Sequence, residues 1–158
     1  MKTYRDIAEN DLLWAKSSMN IGDQMGQYNM VVVQAQQSAE KFMKGFINDF
    51  MNEGGKHDKD LVTHNLRKMA LLINEFVGEK ILNPIECKYL GDWYFDARYP
   101  GDNYTEVRDR EEAEYSIQLA EKIRDALYEQ INKINAQLIN HDKGYNSQQN
   151  QIQFGREL

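Results

Sequence analysis

The spacing of apolar side chains between residues 28 and 51 constrains the fold more than any other feature of this sequence. These side chains recur every three or four positions, which is the repeat of one face of an α-helix. The series comprises Val32, Ala35, Ala39, Phe42, Phe46 and Phe50, and it is widened by Val31, Met43 and Ile47. A stripe this long and wide predicts one long buried helix over residues 28–51.

The same repeat covers most of the remaining chain. Further helices are predicted over residues 7–19, 66–77, 85–97 and 110–138, each from apolar residues at helical spacing. Only 2 prolines occur in the chain, which favours long helices, and no segment alternates as a strand would. We therefore expect an all-α fold, an up-and-down four-helix bundle with a short additional helix.

The chain divides into two regions of different composition. We assign residues 1–139 to the helical bundle, because the apolar repeat runs through them. Residues 140–158 lose that repeat and are rich in Asn, Gln and Gly. This composition predicts a polar, disordered C-terminal tail.

Charge and cysteine content limit the classes of function. The formal net charge is −6, from 25 acidic and 19 basic side chains, which argues against an extended nucleic-acid surface but not against a small anion site. Cys87 is the only cysteine, so no internal disulfide can form. With no apolar signal core at the N-terminus and no membrane-length apolar run, the protein is expected to be cytoplasmic, away from membranes.

The sequence lacks the residue spacings that common catalytic and metal sites require. A di-iron bundle needs Glu-x-x-His pairs, but the residues three positions before the three histidines are Gly54, Leu61 and Leu138. One cysteine and scattered histidines do not make a zinc site, and Gly54-Gly55-Lys56 lacks the spacing of a phosphate loop. We expect no metal, no cofactor and no recognisable catalytic constellation.

Two basic residues on the most apolar helix form the first candidate site. Lys41 and Lys44 are three positions apart, so they point to similar sides of the helix and can converge on a phosphate. The alternative is an ion pair between Glu40 and Lys44, four positions apart, on a solvated stripe.

A dense aromatic run at residues 92–100 forms the second candidate. Within it, Arg98 can bind a phosphate in a bidentate manner, and Tyr99 can stack on a base. The alternative is that the aromatic residues are core or dimer contacts and that Arg98 pairs with a nearby aspartate. His64 lies at a predicted helix start, where it is either a capping or packing residue or a ligand contact.

Taken together, three segments resemble the HEPN family (higher eukaryotes and prokaryotes nucleotide-binding). They are Gln36-Gln37-Ser38-Ala39-Glu40-Lys41-Phe42-Met43-Lys44, Thr63-His64-Asn65-Leu66 and Ala97-Arg98-Tyr99-Pro100, in that order and followed by a long helix. The resemblance implies a homodimeric bundle that binds nucleotides, cleaves RNA in a toxin–antitoxin system, or partners a minimal nucleotidyltransferase.

One departure from the nuclease branch of that family shapes the predicted function. Nuclease members carry Arg-x(4–6)-His, whereas the corresponding positions after Arg98 are Asn103, Tyr104 and Thr105. Asn103 can hydrogen-bond a phosphate or sugar but cannot transfer a proton near neutral pH.

We therefore predict a domain that binds a nucleotide or a phosphate. The absence of the Arg-x(4–6)-His motif favours a binding protein over an enzyme. Its ligand-binding residues would be Lys41, Lys44, His64, Arg98, Tyr99 and Asn103. Two alternatives stay open: a metal-independent ribonuclease that uses His64 or Tyr99, and a purely structural dimerisation or interaction module.

Overall fold

The computed structural model describes the backbone of residues 1–98 and 107–156, with their side chains except those of 94–98, 147 and 149–156. Its α-helices are α1 (Tyr4–Ser17), α2 (Met19–Met25), α3 (Asn29–Phe46), α4 (Leu66–Val77), α5 (Pro84–Arg98) and α6 (Arg110–Arg156). A π-helical turn, Ile47–Met51, extends α3, and 3-10 turns occupy Glu53–Gly55 and Asp60–Val62. No strand occurs in these ranges, so the all-α prediction is confirmed.

Local sequence signals explain where the helices begin and end. Thr3 caps α1: its side chain accepts a hydrogen bond from the backbone N–H of Asp6, whose carboxylate accepts one from Thr3 in return. Asn65 caps α4 by accepting a hydrogen bond from the backbone N–H of Lys68 at 2.9 Å. At its other end α4 stops at Gly78, which takes the left-handed conformation with φ of 78°.

Neighbouring helices run antiparallel in the compact unit formed by residues 1–127. The Ser38 hydroxyl of α3 donates a 2.8 Å hydrogen bond to the carbonyl of Ala8 in α1. Further along α1, Ser18 at its C-terminal end donates to Gln34 at 3.0 Å. Residues 110–127 of α6 lie alongside α5, where Lys122 Nζ donates a hydrogen bond to Glu86 at 2.9 Å. The two contacts between α1 and α3 show that these helices are antiparallel, whereas the four-helix up-and-down bundle stays a prediction.

The core of this unit is built from the predicted apolar stripes of α1, α3, α4 and α6. Its largest fully buried apolar side chains include Leu12, Val32, Met43, Phe46, Ile47, Met69, Ile73, Leu90 and Leu127. On α5 the apolar series was expected at Ile85 and Tyr89, but these are 62% and 54% exposed, and Cys87 and Leu90 are buried instead. The helix predicted over residues 28–51 is observed as α3 with its π-helical extension. Burial of this stripe supplies most of the stability of α3, since isolated helices of such length are marginal in water.

Residues 128–158 form a second unit by themselves. Here α6 continues to Arg156, so the backbone of residues 140–156 is helical where the sequence predicted no regular structure. The side chains of residues 135–146 are exposed. The physical reason is that extending an existing helix through Asn, Gln and Lys costs little per residue once it is nucleated. The division at residue 139 stays a prediction.

Candidate functional site

A buried carboxylate on α3, that of Glu40, binds partners from two parts of the chain. Its Oε1 accepts hydrogen bonds from Lys44 Nζ at 2.6 Å and from His64 Nδ1 at 2.8 Å. Its Oε2 accepts one from Gln36 Nε2 at 3.1 Å. Glu40 is only 3% exposed. We call Gln36, Glu40, Lys44 and His64 the Glu40 cluster.

Helical spacing and a tight turn assemble this cluster. Gln36, Glu40 and Lys44 are four positions apart on α3 and so lie on one helix face. His64 comes from the turn before α4, where the Thr63 hydroxyl accepts a hydrogen bond from the backbone N–H of Asn65 at 3.2 Å. The turn and the Asn65 cap fix the start of α4 and hold His64 next to α3.

Glu40 is ionised in the folded protein near neutral pH. Burial raises its pKa, but the hydrogen bond and charge of Lys44, then the hydrogen bonds from Gln36 and His64, lower the pKa by more, to below its ordinary value. An ionised carboxylate can only accept hydrogen bonds, so Nδ1 of His64 carries the proton between them. In the neutral imidazole Nε2 is then the unprotonated nitrogen.

His64 also lines a cleft of about 450 Å³ between the start of α4 and one face of α5. The lining residues are Thr63, His64, Asn65, Leu66, Arg67, Cys87, Lys88, Gly91 and Asp92. The His64 side chain is 62% exposed, so it connects the buried Glu40 cluster to solvent. A volume of this size lies in the range of small-ligand sites.

The cleft carries more positive than negative charge. Among the described residues that line it, the one acidic side chain is that of Asp92, which is paired with Lys88 at 2.9 Å. Arg67 is exposed and makes no ion pair with any residue whose side chain is described. The first turn of α4 adds partial positive charge from backbone N–H groups. This face of the domain therefore favours an anion.

The predicted site residues at the end of α5 lie at the limit of the described chain. Arg98 is the last residue of α5, seven positions after Gly91, so its Cα is on the same helix face about 10 Å further along. The Arg98 side chain lies outside the described residues, as do Tyr99 and Asn103. Their participation in the cleft stays a prediction.

Lys41 and Lys44 have different partners. Lys41 forms an ion pair with Asp11 of α1 and takes no part in the Glu40 cluster. Lys44 forms the ion pair with Glu40 that the sequence offered as an alternative, but this pair is buried, with side-chain exposures of 9% and 4%. The structure thus brings Lys44 and His64 together through Glu40 and leaves Lys41 apart.

Two residues of this region, Gln36 and Arg67, were not predicted as site residues. The sequence did contain a signal for Gln36, since Gln36, Glu40 and Lys44 place three polar groups at intervals of four on a face where the neighbouring residues are apolar. Arg67 carries no such signal, because a basic residue in the first turns of a helix is common on solvated faces.

Cys87 lies at the floor of the cleft and is a poor nucleophile. It is buried, and burial, followed by the negative charge of Glu86, raises its pKa to about 12. Among the described residues, no group of three or more His, Cys, Asp or Glu side chains could hold a metal ion. None of the described helices combines the length and the apolar character required to cross a membrane.

Comparison with known proteins identifies the family. Neither the curated proteins nor the solved structures yielded a match to this chain. The HEPN domain family matches residues 1–131, which include α1 to α5, the first part of α6 and the whole Glu40 cluster. The chain therefore belongs to the HEPN family.

Proposed function

We propose that this HEPN domain binds a nucleotide, or a phosphate of RNA, in the cleft between α4 and α5. The observation that carries the proposal is the position of His64. Its Nδ1 is bound to buried Glu40 at 2.8 Å, while its exposed side chain lines a cleft of about 450 Å³. A ligand-facing imidazole held by a buried carboxylate is a polar group with one fixed orientation, as specific binding sites require.

The charges of the cleft support an anionic ligand. Arg67 offers a guanidinium that can hold a phosphate in a bidentate manner. Thr63 and Asn65 add hydroxyl and amide groups beside it. Arg98, Tyr99 and Asn103 are proposed as further contacts from the end of α5 and the residues after it. Lys44 acts through Glu40, and Lys41 is assigned to the contact between α1 and α3.

Isothermal titration of the full chain tests this function, with ATP, AMP, inorganic phosphate and a short RNA oligonucleotide as probes. His64→Ala and Arg67→Ala should each weaken binding about tenfold, the effect expected for loss of one charge-assisted contact. Lys68→Ala is the matched control. Lys68 also lies near the start of α4, but it pairs with Asp60 at 3.4 Å and does not line the cleft. Absence of binding by every probe would contradict the proposal.

A second candidate function is RNA cleavage, and the Glu40–His64 contact favours it. A carboxylate that holds Nδ1–H leaves Nε2 as the basic nitrogen, which is the arrangement of a general base. His64 would take the proton of a ribose 2′-hydroxyl as the 2′-oxygen attacks the adjacent phosphorus. This forms a 2′,3′-cyclic phosphate, the P–O5′ bond breaks, and the leaving 5′-oxygen takes a proton from water. Incubation with RNA distinguishes this candidate from binding alone. His64→Ala should abolish cleavage. Equal cleavage by the wild-type protein and by this variant would indicate a contaminating nuclease.

The family resemblance supplies the proposed biological setting. We include in the proposal a homodimer and a minimal nucleotidyltransferase as protein partner, in a system of the toxin–antitoxin type. Co-purification of the chain with such a transferase encoded beside it tests the partnership.

A further inference from the structure

The two nitrogens of the His64 ring have different surroundings. Nδ1 is bonded to Oε1 of the buried Glu40 at 2.8 Å. The side chain is nevertheless 62% exposed, and it lines the cleft between α4 and α5. Since Nδ1 is turned towards a buried carboxylate, the exposed part of the ring is the part that carries Nε2. In the described part of the chain no residue bonds Nε2, so this nitrogen is open to solvent or to a ligand.

Glu40 determines which nitrogen of the ring carries a proton. Because its carboxylate is ionised, it only accepts hydrogen bonds, and the proton of the neutral imidazole lies on Nδ1. Nε2 of the neutral ring is then a lone pair, which accepts hydrogen bonds and donates none. The ring can therefore donate a hydrogen bond from Nε2 only as an imidazolium, with a proton on each nitrogen.

We propose that the cleft binds a phosphate through the imidazolium form of His64, so that ligand binding is coupled to the uptake of one proton at Nε2. This inference rests on the proposed function, phosphate binding in the cleft. The free oxygens of a phosphodiester carry no proton and only accept hydrogen bonds, so they would repel the Nε2 lone pair of the neutral ring. A proton taken from solvent replaces this repulsion with a charge-assisted hydrogen bond, with Glu40 on one side of the ring and the phosphate on the other.

The charges that α3 and α4 place around His64 oppose one another while the cleft has no ligand. On α3, the carboxylate of Glu40 favours the imidazolium, but the ammonium group of Lys44 is bonded to the same oxygen and offsets part of this effect. On α4, the guanidinium of Arg67 in the cleft disfavours a second cation. Lys68 of the same helix does not line the cleft.

The described groups of α5 add little net charge to this balance. Lys88 and Asp92 pair with one another at 2.9 Å, so their charges largely cancel. The thiol of Cys87 is neutral, because burial raises its pKa to about 12. The side chains of Asp96 and Arg98 lie outside the described residues. An incoming phosphate therefore changes the charge next to His64, since it adds a second negative neighbour that favours the imidazolium.

The coupling fixes the direction of the pH dependence. The complex holds one proton more than the separate protein and ligand, so the affinity rises as the pH falls. An imidazole ordinarily changes its charge between pH 5 and pH 8. We expect the affinity to fall about tenfold between pH 6 and pH 8. Glu40 does not contribute to this change, because its pKa lies below its ordinary value of 4.5 and it stays ionised throughout.

Isothermal titration of the full chain at pH 6, 7 and 8 tests the inference. The probes are the methyl ester of AMP and a uridine tetranucleotide without a terminal phosphate. Both contain only phosphodiesters, which lack the second ionisation near pH 6 of a phosphate monoester, so a change in affinity arises in the protein. Titration at pH 7.5 in two buffers of different ionisation enthalpy counts the protons, and roughly one proton should be taken up for each ligand bound.

His64→Gln is the test variant, because glutamine can also hydrogen-bond Glu40 but does not titrate. It should bind both probes more weakly at pH 6, with no pH dependence and no proton uptake. His57→Gln is the matched control. His57 belongs to the same compact unit and its Nδ1 contacts Asp60 at 2.8 Å, but it does not line the cleft. This variant should keep the pH dependence and the proton uptake of the wild type.

The results separate failure of the coupling from failure of the proposed function. Equal affinity at pH 6 and pH 8 without proton uptake would overturn the coupling and leave phosphate binding intact. Proton uptake that persists in His64→Gln would overturn the assignment to His64. Absence of binding by both probes at every pH would overturn the proposed function and the coupling together.

Discussion

Lys44 and His64 meet at a single oxygen atom, Oε1 of Glu40, at 2.6 and 2.8 Å. One donor belongs to the same helix as the carboxylate, and the other comes from the turn that begins α4. The two donors leave little room for movement of the carboxylate, so the Glu40 cluster links the long core helix to the wall of the cleft.

Glu40→Gln should destabilise the fold by about 3 kcal/mol. The substitution keeps the size of the side chain but removes the negative charge, which leaves the ammonium group of Lys44 buried without its counter-charge. Urea denaturation followed by circular dichroism measures the change. Asp92→Asn, which breaks the exposed pair with Lys88, is the control and should change stability by less than about 1 kcal/mol. Equal effects of the two substitutions would contradict the burial argument.

The contribution of Glu40 to the free energy of unfolding should also depend on pH. Its pKa is lower in the folded state than the ordinary value of 4.5, because the bonds from Lys44, Gln36 and His64 outweigh the effect of burial. A group with a lowered pKa stabilises the fold above its unfolded pKa, and this stabilisation is lost as the pH falls through its folded pKa. The difference in unfolding free energy between wild type and Glu40→Gln should therefore be full at pH 7 and shrink below about pH 4.5. A difference that stays constant between pH 7 and pH 3 would show that Glu40 does not titrate in this way.

The sequence predicted the helices well, because their signal is local. Apolar residues every three or four positions between 28 and 51 correspond to α3 and its π-helical extension, and the buried face of α3 is the predicted one. Gly78 ends α4, as its place after the apolar series suggests. Each of these features depends on residues close together in the chain, where a helical period can be read directly.

The site was only partly predictable, since its geometry depends on contacts that the helical period does not encode. His64 is 24 positions from Glu40, and nothing in either segment specifies that the turn before α4 docks on α3. The spacing of Lys41 and Lys44 allowed either convergence on a phosphate or an ion pair between Glu40 and Lys44, and in the structure Lys41 reaches Asp11 on α1, 30 positions away. Long flexible side chains follow the nearest opposite charge, and which charge is nearest is decided by packing between helices.

Lys41 and Lys44 provide a comparison within one helix. Lys41→Ala removes a partly exposed pair with Asp11 and should cost less than about 1 kcal/mol, with no effect on nucleotide binding. Lys44→Ala removes the ammonium group that pairs with the buried carboxylate of Glu40, so it should reduce both stability and binding in the cleft. Thermal melting and titration of both variants measure the two effects. We propose that Lys44 affects binding in the cleft by positioning Glu40, which in turn positions His64. This proposal would be wrong if Lys41→Ala weakened binding as much as Lys44→Ala.

Cys87 should be unreactive in the folded protein. Burial, with a smaller effect from Glu86, raises its pKa to about 12, so very little thiolate exists at pH 8. Incubation with iodoacetamide at pH 8 followed by mass spectrometry should show negligible alkylation of the native chain and complete alkylation in urea. Because Cys87 is the only cysteine, the modification reports on this position alone. Rapid alkylation without urea would mean that the floor of the cleft opens readily.

Gly22→Ala should destabilise the domain by about 1–3 kcal/mol, the usual penalty for overpacking. A methyl group at this position would lie 2.2 Å from Cδ1 of Tyr28, far inside van der Waals contact, so the ring or α2 has to move. Either movement also disturbs the hydrogen bond from the Tyr28 hydroxyl to Asp23. Gly91→Ala is the control, because its added Cβ meets no atom of the described side chains within 4 Å and alanine favours the helix by up to about 1 kcal/mol. Thermal unfolding should therefore shift in opposite directions for the two variants, and a stabilising effect of Gly22→Ala would show that α2 is not held by this close contact.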